Sequence, residues 1–168
     1  MLLALFADVH ANRQAFAACL EAARTRGAER FILLGDFVGY GADPEWSVDI
    51  VMRLVEEGAI AVRGNHDHAI GTPSETMSEG ARVAIDWTRG RLSGVQRAFL
   101  AGLPLMMGED DRLYVHSEAS NPAHWRYVQS IAEAGVPGLS ETPAFLPSAL
   151  IACRERCRCG PASACTVM

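Results

Sequence analysis

The chain alternates short, uninterrupted apolar runs with longer stretches in which apolar residues recur every three or four positions. Residues 2–7 form such a run, which is typical of a parallel strand covered on both faces. The runs "RFILLGD" and "AIAV" predict a second and a third strand. Residues 112–116 predict a later strand.

Helical spacing fills the segments between these strands. Asn12 is placed to cap a helix that stops at Gly27, and Asp43 followed by Pro44 predicts the start of a helix that runs to Gly58. Further helices are predicted over residues 79–89, 93–101 with Ser93 as the cap, 122–133 and 147–156. The alternation of strands and helices predicts an α/β fold with right-handed connections.

Composition narrows the class of protein. At 168 residues, the chain can form one domain with a substantial core. The formal net charge is −5, from 15 basic and 20 acidic residues, which argues against general nucleic-acid binding. No apolar run is long enough to span a membrane, and the apolar N-terminus lacks the basic region of a signal peptide. We therefore expect a cytoplasmic protein with no membrane partner.

Polar residues follow the predicted strands. Asp8 and His10 come after the first strand, Asp36 ends the second, "GNHD" follows the third, and His116 ends the later one. Taken singly, Asp8 is a strand-end acid, His10 a surface or core histidine, and Gly64-Asn65 a turn. In an open α/β sheet, however, the carboxyl ends of the strands meet at one crevice where ligands bind. Together, these residues predict a site.

The residue types indicate which ligand this site would take. Carboxylate, imidazole and amide oxygen together suit Mn, Fe or Zn better than Ca or Mg. A carboxylate such as that of Asp36 has two oxygens and can bridge two cations. Two metals about 3.5–4 Å apart can hold a phosphate and activate the water that attacks it.

The motifs "DVH", "GD" and "GNHD", followed by a strand that ends in histidine, resemble those of the calcineurin-like metallophosphoesterase superfamily. The segments "LLGDFVGYGADP" and "VRGNHD" are most similar to small bacterial and archaeal phosphoesterases related to diadenosine tetraphosphatases. The resemblance covers about residues 1–130. It implies an α/β fold, a metallophosphoesterase-type β-sandwich flanked by helices, whose C-terminal part is here incomplete or divergent.

The resemblance also implies roles for individual residues. Asp8 and His10 would bind one metal, Asp36 would bridge both, and Asn65 and His116 would bind the second. His66 would act as general acid or electrostatic stabiliser at the phosphate, with Asp67 orienting its imidazole. Arg63 would contact the substrate or remain at the surface.

The implied reaction is hydrolysis of a phosphate mono- or diester by a metal-bound hydroxide. Its cofactors would be two divalent ions of Mn, Fe or Zn, with Mn favoured, and its substrate a phosphorylated small molecule or nucleotide. A serine nucleophile at Ser117 beside His116 is the alternative chemistry, but no G-x-S-x-G motif accompanies it.

The family pattern breaks near the C-terminus. The family's G-H-x-H motif supplies a further histidine to each metal, whereas the last histidine in this sequence is His124. We predict a core over residues 1–134 and a divergent Cys- and Pro-rich tail over 135–168, for which two origins are open. One is a frameshift or truncated gene model in GC-rich DNA, which the absence of lysine favours. The other is divergence, with Cys153, Cys157, Cys159 and Cys165 as replacement ligands, although their spacing matches no standard zinc pattern.

The missing motif leaves a second function open, that of an impaired or inactive metallophosphoesterase-like chain. An incomplete sheet would expose an edge and apolar surface, which favours self-association.

Overall fold

The computed structural model describes residues 1–73 and 76–126, together with the backbone pairing of three short segments nearer the C-terminus. The strands are β1 (Leu3–Phe6), β2 (Arg30–Leu33), β3 (Ile60–Ala61), β4 (Met106–Glu109), β5 (Arg112–Val115), β6 (Ala144–Leu146), β7 (Ala149–Cys153) and β8 (Thr166–Val167). The helices are α1 (Arg13–Thr25), α2 (Pro44–Glu56), α3 (Asn65–Gly71), α4 (Glu79–Arg91) and α5 (Gly94–Gly102), and one 3-10 turn spans Pro122–His124.

The strands form two sheets. One is parallel, in the order β3-β2-β1-β8, and the other is antiparallel, in the order β4-β5-β7-β6. Successive residues of a strand point to opposite faces, so Phe6 and Leu33 pack in the core formed with the helices, whereas Leu5 and Ile32 pack with Tyr114 of β5. The parallel sheet is therefore covered on both faces, and the predicted α/β sandwich flanked by helices is confirmed.

The predicted helix starts are confirmed in position. The Asn12 side chain accepts a hydrogen bond from the Ala15 N–H at 3.0 Å at the start of α1. Asp43 precedes Pro44 at the start of α2, but its carboxylate makes no capping hydrogen bond. Ser93 caps α5 reciprocally with Gln96: its hydroxyl accepts from the Gln96 N–H at 3.2 Å, and the Gln96 side chain accepts from the Ser93 N–H at 3.0 Å.

A Ser93→Ala variant is expected to lower the free energy of unfolding by about 1 kcal/mol, because alanine cannot accept the hydrogen bond from the helix N–H group. Urea denaturation measures this difference. Ser120→Ala is the matched control, since Ser120 is exposed and its hydroxyl donates to the Glu118 side chain, and it should change stability by less than about 0.5 kcal/mol. Equal stability of wild type and Ser93→Ala would contradict the capping role.

Two elements within residues 1–73 and 76–126 were not predicted. Helix α3 begins at Asn65, shortly after β3, at the Gly64-Asn65 pair that taken singly indicated a turn. Strand β4 pairs antiparallel with β5, its Met106 opposite Val115. β4 is an edge strand with two exposed methionines, so it lacks the alternating apolar pattern by which a half-buried strand is recognised.

The C-terminal expectations need correction. The predicted helix over 147–156 is wrong, because Ala149–Cys153 form β7, which pairs with β5. The sequence predicted no strand after residue 134. Three strands are nevertheless present there, β6, β7 and β8, and β8 pairs parallel with β1. A short apolar run does not distinguish a buried strand from a buried helix, and the partner strand decides. The predicted helix over 122–133 starts as the 3-10 turn, and its part beyond residue 126 lies outside the described residues.

Within the described ranges, no helix has both the length and the apolar character needed to cross a bilayer.

Candidate metal centre

The loops that follow β1 and β2 are tied to each other by backbone hydrogen bonds. The Asp8 N–H donates to the Gly35 carbonyl at 3.2 Å, and the His10 N–H donates to the Asp36 carbonyl at 2.9 Å. Asp8, His10 and Asp36 have φ angles of 54°, 47° and 54°. Such left-handed backbone is uncommon outside glycine but is several-fold enriched in Asp and His. The sharp turns place three polar side chains at adjacent strand ends.

The structure brings the predicted strand-end residues together in two groups of possible ligands. One group consists of His10, Asp36 and His66, and the other of Asp8, Asp36 and His116; within each, the ligand atoms lie within 4.8 Å of one another. Asp36 belongs to both. A carboxylate shared by two ligand groups could contact two ions about 3.5–4 Å apart.

The measured separations suit shared coordination. Asp36 Oδ2 lies 3.8 Å from His10 Nε2 and 3.5 Å from His116 Nε2. Asp8 Oδ1 lies 3.9 Å from His10 Nε2, and Asn65 Oδ1 lies 3.1 Å from His116 Nε2. Two atoms that each lie about 2.0–2.2 Å from one ion are at most about 4.4 Å apart. The donor set therefore fits divalent ions.

Asp36 divides its two oxygens between different tasks. Oδ2 faces both imidazoles, whereas Oδ1 accepts a hydrogen bond from the His66 N–H at 2.8 Å. The residue is 2% exposed. The backbone bond holds the orientation of the carboxylate, so one oxygen, rather than both, points toward the two candidate histidine ligands.

Both of these histidines are held in the tautomer that suits a metal ligand. His10 Nδ1 lies 3.1 Å from the Val38 carbonyl, and His116 Nδ1 lies 2.7 Å from the Leu34 carbonyl. A carbonyl oxygen only accepts, so each Nδ1 carries the hydrogen. The Nε2 atoms are directed toward Asp36. Orientation of a ligating histidine through its second nitrogen is the usual supporting contact in metal sites.

His116 and Asp36 each stabilise the charged form of the other. Burial opposes the charge on His116, but the hydrogen bond and negative charge of Asp36 raise the pKa of its imidazole to about 9. Burial likewise opposes the charge on Asp36, yet His116 holds the pKa of the carboxyl below its usual value. The imidazolium thus neutralises the carboxylate. A divalent ion between the same atoms would supply that charge instead and release the proton.

His66 differs from these two histidines. Burial lowers its pKa below the usual value of a histidine, and the negative charge of Asp36 offsets only part of this, so its imidazole is neutral near pH 7. Its Nδ1 is buried and finds no hydrogen-bond partner among the described residues. Gly39 packs directly against this nitrogen, where an added Cβ would overlap it.

The Asp67 carboxylate holds the loops of the site together by accepting hydrogen bonds from backbone N–H groups. One carboxylate oxygen accepts from the N–H groups of Asp36 and Gly64 at 2.8 and 3.0 Å, and the other accepts from those of Phe37 and Val38 at 2.9 and 3.4 Å. Burial raises the pKa of this carboxyl to about 7, and the charge of Asp36 adds to the rise. The expected contact between Asp67 and the His66 imidazole is absent, because all four bonds go to main-chain donors.

Three other residues that the sequence singled out have hydrogen-bond partners outside this cluster. The Arg63 guanidinium donates to the Ala101 carbonyl at the end of α5 at 2.8 Å, while a substrate contact for it stays a prediction. The Ser117 hydroxyl donates to the Pro122 carbonyl at 3.2 Å, which does not support its use as a nucleophile with His116. His124 is exposed and lies near Asn121 in the 3-10 turn. Cys157, Cys159 and Cys165 lie outside the described residues.

Two aromatic residues beside the ligands were missed in the sequence. The Tyr40 ring centroid lies 4.9 Å from that of His10 and 4.8 Å from that of His66. The Trp125 ring centroid lies 6.3 Å from that of His116 and 5.5 Å from that of His68. The available signal for Tyr40 was its position between two glycines, four residues after Asp36 of the second strand-end motif.

Comparison with known proteins agrees with this geometry. The family model of the calcineurin-like phosphoesterase superfamily domain matches residues 1–137. An uncharacterized protein of Methanocaldococcus jannaschii is 31% identical over 133 residues, which cover 76% of this chain and 54% of that protein.

Crystal structures extend the comparison. That of a metallophosphoesterase from Sphaerobacter thermophilus matches with a TM-score of 0.61 and 36% identity, over 71% of this chain and 48% of that one. A hypothetical protein from Pyrococcus horikoshii shares the fold, with a TM-score of 0.57 and 19% identity over 64% of this chain and 49% of that one. The chain spans about half the length of these relatives. By its family match and its strand-end motifs, the chain belongs to the calcineurin-like phosphoesterase superfamily.

Proposed function

We propose that the chain hydrolyses phosphate mono- or diesters with the help of two divalent metal ions. The observation that carries this proposal is the position of Asp36 in both ligand groups, with one oxygen facing His10 and His116. Two ions bound there would neutralise the charge of a phosphate and lower the pKa of a water molecule toward neutrality.

We propose the division of ligands that the motifs imply, which pairs Asp8 with His10, whereas the two geometric groups place Asp8 with His116. Asp8 and His10, 3.9 Å apart, would hold one ion, and Asn65 and His116, 3.1 Å apart, would hold the other. Asp36 would bridge them. The mixture of carboxylate, imidazole and amide oxygen suits Mn, Fe or Zn, and we propose Mn.

His66 would act on the phosphate as a hydrogen-bond donor. Its lowered pKa leaves the imidazole neutral near pH 7, so it carries no extra proton to deliver. A neutral imidazole can still donate its single N–H to a phosphate oxygen. Of the two roles that the motif implies, electrostatic stabilisation therefore fits better than general acid catalysis. Asp67 would be a positioning residue that holds Gly64 and the Asp36 loop together.

Removal of the metal is expected to abolish hydrolysis. The chain would be stripped with a chelator, reloaded with Mn²⁺ and assayed with bis(4-nitrophenyl) phosphate, while bound metal is counted by mass spectrometry. We expect about two ions per chain and activity that rises with loading. Reloading with Ca²⁺, which prefers all-oxygen sites, is the control and should restore little activity. Full hydrolysis by the stripped chain would contradict the proposal.

The alternative is a folded chain that is impaired in metal binding and catalysis. The observation in its favour is the absence of a G-H-x-H motif in the sequence, which leaves each ion with one fewer histidine ligand than the family pattern supplies. Fewer than two bound ions and no hydrolysis, with an unchanged circular dichroism spectrum, would support this alternative.

The remaining proposals concern the substrate, the location of the protein, its division into core and tail, and its self-association. We propose a phosphorylated small molecule or nucleotide as the substrate, a cytoplasmic location, and a division into a core over residues 1–134 and a divergent tail over 135–168. Self-association would use an exposed sheet edge, for which β4, with exposed Met106 and Met107, is the candidate.

A further inference from the structure

We propose that Tyr40 is a stacking platform for a planar aromatic group of the phosphoester substrate; this inference rests on the proposed function. Tyr40 is 59% exposed, although its ring contacts those of His10 and His66. It is the one exposed large side chain in the described ranges whose ring contacts candidate ligands. An aromatic face open to solvent at the edge of a catalytic centre can bind a flat part of the substrate.

The backbone holds this ring in place at an energetic cost. Tyr40 has a φ angle of 60°, in the left-handed region where a bulky residue is an outlier. The next residue, Gly41, donates its N–H to the His10 carbonyl at 2.9 Å, and a Cβ at this position would overlap that carbonyl. The loop is thus fixed against the metal ligands. Glycine would adopt the Tyr40 conformation without strain. The backbone conformation therefore does not explain a tyrosine here, and a use of its aromatic ring does.

The ring selects a class of substrate by its chemistry. A nucleobase or an aryl group presents a π-face that stacks on tyrosine, whereas a sugar or alkyl phosphate does not. The phosphate would bind at the ligand cluster through the same contacts in either case. Tyr40 should therefore raise the affinity for aromatic phosphoesters and leave that for other phosphoesters unchanged.

The experiment compares AMP with ribose 5-phosphate, which carries the same phosphate and sugar without the base. Calorimetric titration of the Mn-loaded chain should show that AMP binds about 5- to 100-fold more tightly. Tyr40→Leu should bring this ratio close to one by weakening AMP alone, and Tyr40→Phe should retain it. Trp87→Leu is the matched control, because Trp87 is 48% exposed on α4 and contacts none of the candidate ligands.

A second pair of probes separates the two sources of the aromatic group. Phenyl phosphate and methyl phosphate differ only in the aryl ring. A Tyr40-dependent preference for phenyl phosphate, as well as for AMP, would show that any aromatic ring is accepted; a preference confined to AMP would narrow the substrate to nucleotides. Both results support the platform.

Four other outcomes would overturn the inference. If Tyr40→Leu weakens AMP and ribose 5-phosphate equally, the ring holds His10 or His66 in place and does not bind substrate. If Trp125→Leu removes the preference for AMP and Tyr40→Leu does not, the base stacks beside His116. If the wild type binds AMP and ribose 5-phosphate equally, the stacking role of Tyr40 is refuted but the proposed function is not. If the wild type binds metal but neither of these phosphates, both the stacking role and the proposed function are refuted.

Discussion

An Asp36→Asn variant is expected to lose hydrolytic activity and to bind Mn²⁺ at least about 100-fold more weakly, since loss of a supporting contact alone costs 10- to 100-fold. Asp36 belongs to both ligand groups, and its Oδ2 atom faces His10 and His116. In the variant, the amide oxygen can still accept the His66 N–H. The amide nitrogen then replaces Oδ2 and presents hydrogens, which a cation cannot use.

The same change removes the negative charge that pairs with His116. Asp36 is the reason that the pKa of the His116 imidazole rises to about 9. Loss of this carboxylate would therefore affect both proposed ions and both histidines, whereas loss of any other candidate ligand would affect one. The expected effect is the largest of any single isosteric substitution in the site.

Metal content and phosphodiester hydrolysis, measured on the same preparations, test this prediction. Asp86→Asn is the control, because Asp86 is an exposed carboxylate on α4 that bonds to Arg89. It removes one negative charge from the molecule and should leave metal content and activity unchanged. If Asp36→Asn hydrolyses the substrate as fast as the wild type, any measured activity does not come from this site.

An Asp67→Asn variant is expected to lower the free energy of unfolding by about 2–4 kcal/mol, because each buried N–H left without a partner costs about 1–3 kcal/mol. Asp67 is 1% exposed and accepts four backbone N–H groups, two on each oxygen. Asparagine retains one accepting oxygen. Its NH₂ group would face two backbone donors and satisfy neither.

Relief of the buried charge offsets part of this loss. Burial raises the pKa of Asp67 to about 7, so the ionised carboxylate has a higher free energy in the fold than in water. A neutral amide avoids that penalty. Because the total stability of a domain is about 5–15 kcal/mol, the net loss should still be visible as an earlier transition in urea. Asp86→Asn again serves as the control, and equal transitions for Asp67→Asn and wild type would show that the four bonds contribute nothing net.

Asp67 also links stability to the site. Its four donors belong to the Asp36 loop and to Gly64, on two different strand ends. At Gly64 an added Cβ would overlap Asp36 Oδ1, which shows how closely the two strand ends approach. The last residue of "GNHD" therefore holds together the loops that carry the candidate ligands.

Much of the fold follows from local sequence. The first three strands are apolar runs, and α1, α2 and α5 combine helical spacing with Asn12, Pro44 and Ser93 at their starts. Each of these signals acts within a few residues, so it is readable without knowledge of the fold. The order of the polar motifs also predicted which residues would meet, since parallel strands bring their carboxyl ends to one edge.

Elements without a strong local signal escaped prediction. The edge strand β4 exposes its methionines, and β7 is a short apolar run that a helix could equally contain. Their conformation depends on pairing with β5, which lies elsewhere in the chain. Tyr40 escaped for a related reason, because no periodic pattern marks an exposed residue in a loop.

Local patterns in the sequence determined the strand-end residues, their order and the family to which the chain belongs. Only the tertiary structure decided how these residues use their atoms: one oxygen of Asp36 faces two histidines, the carbonyls of Val38 and Leu34 set the tautomers, and Asp67 binds the backbone rather than His66. The physical reason is that each contact joins residues from different strands. Its geometry depends on strand register and on left-handed turns at the strand ends, which sequence spacing does not specify.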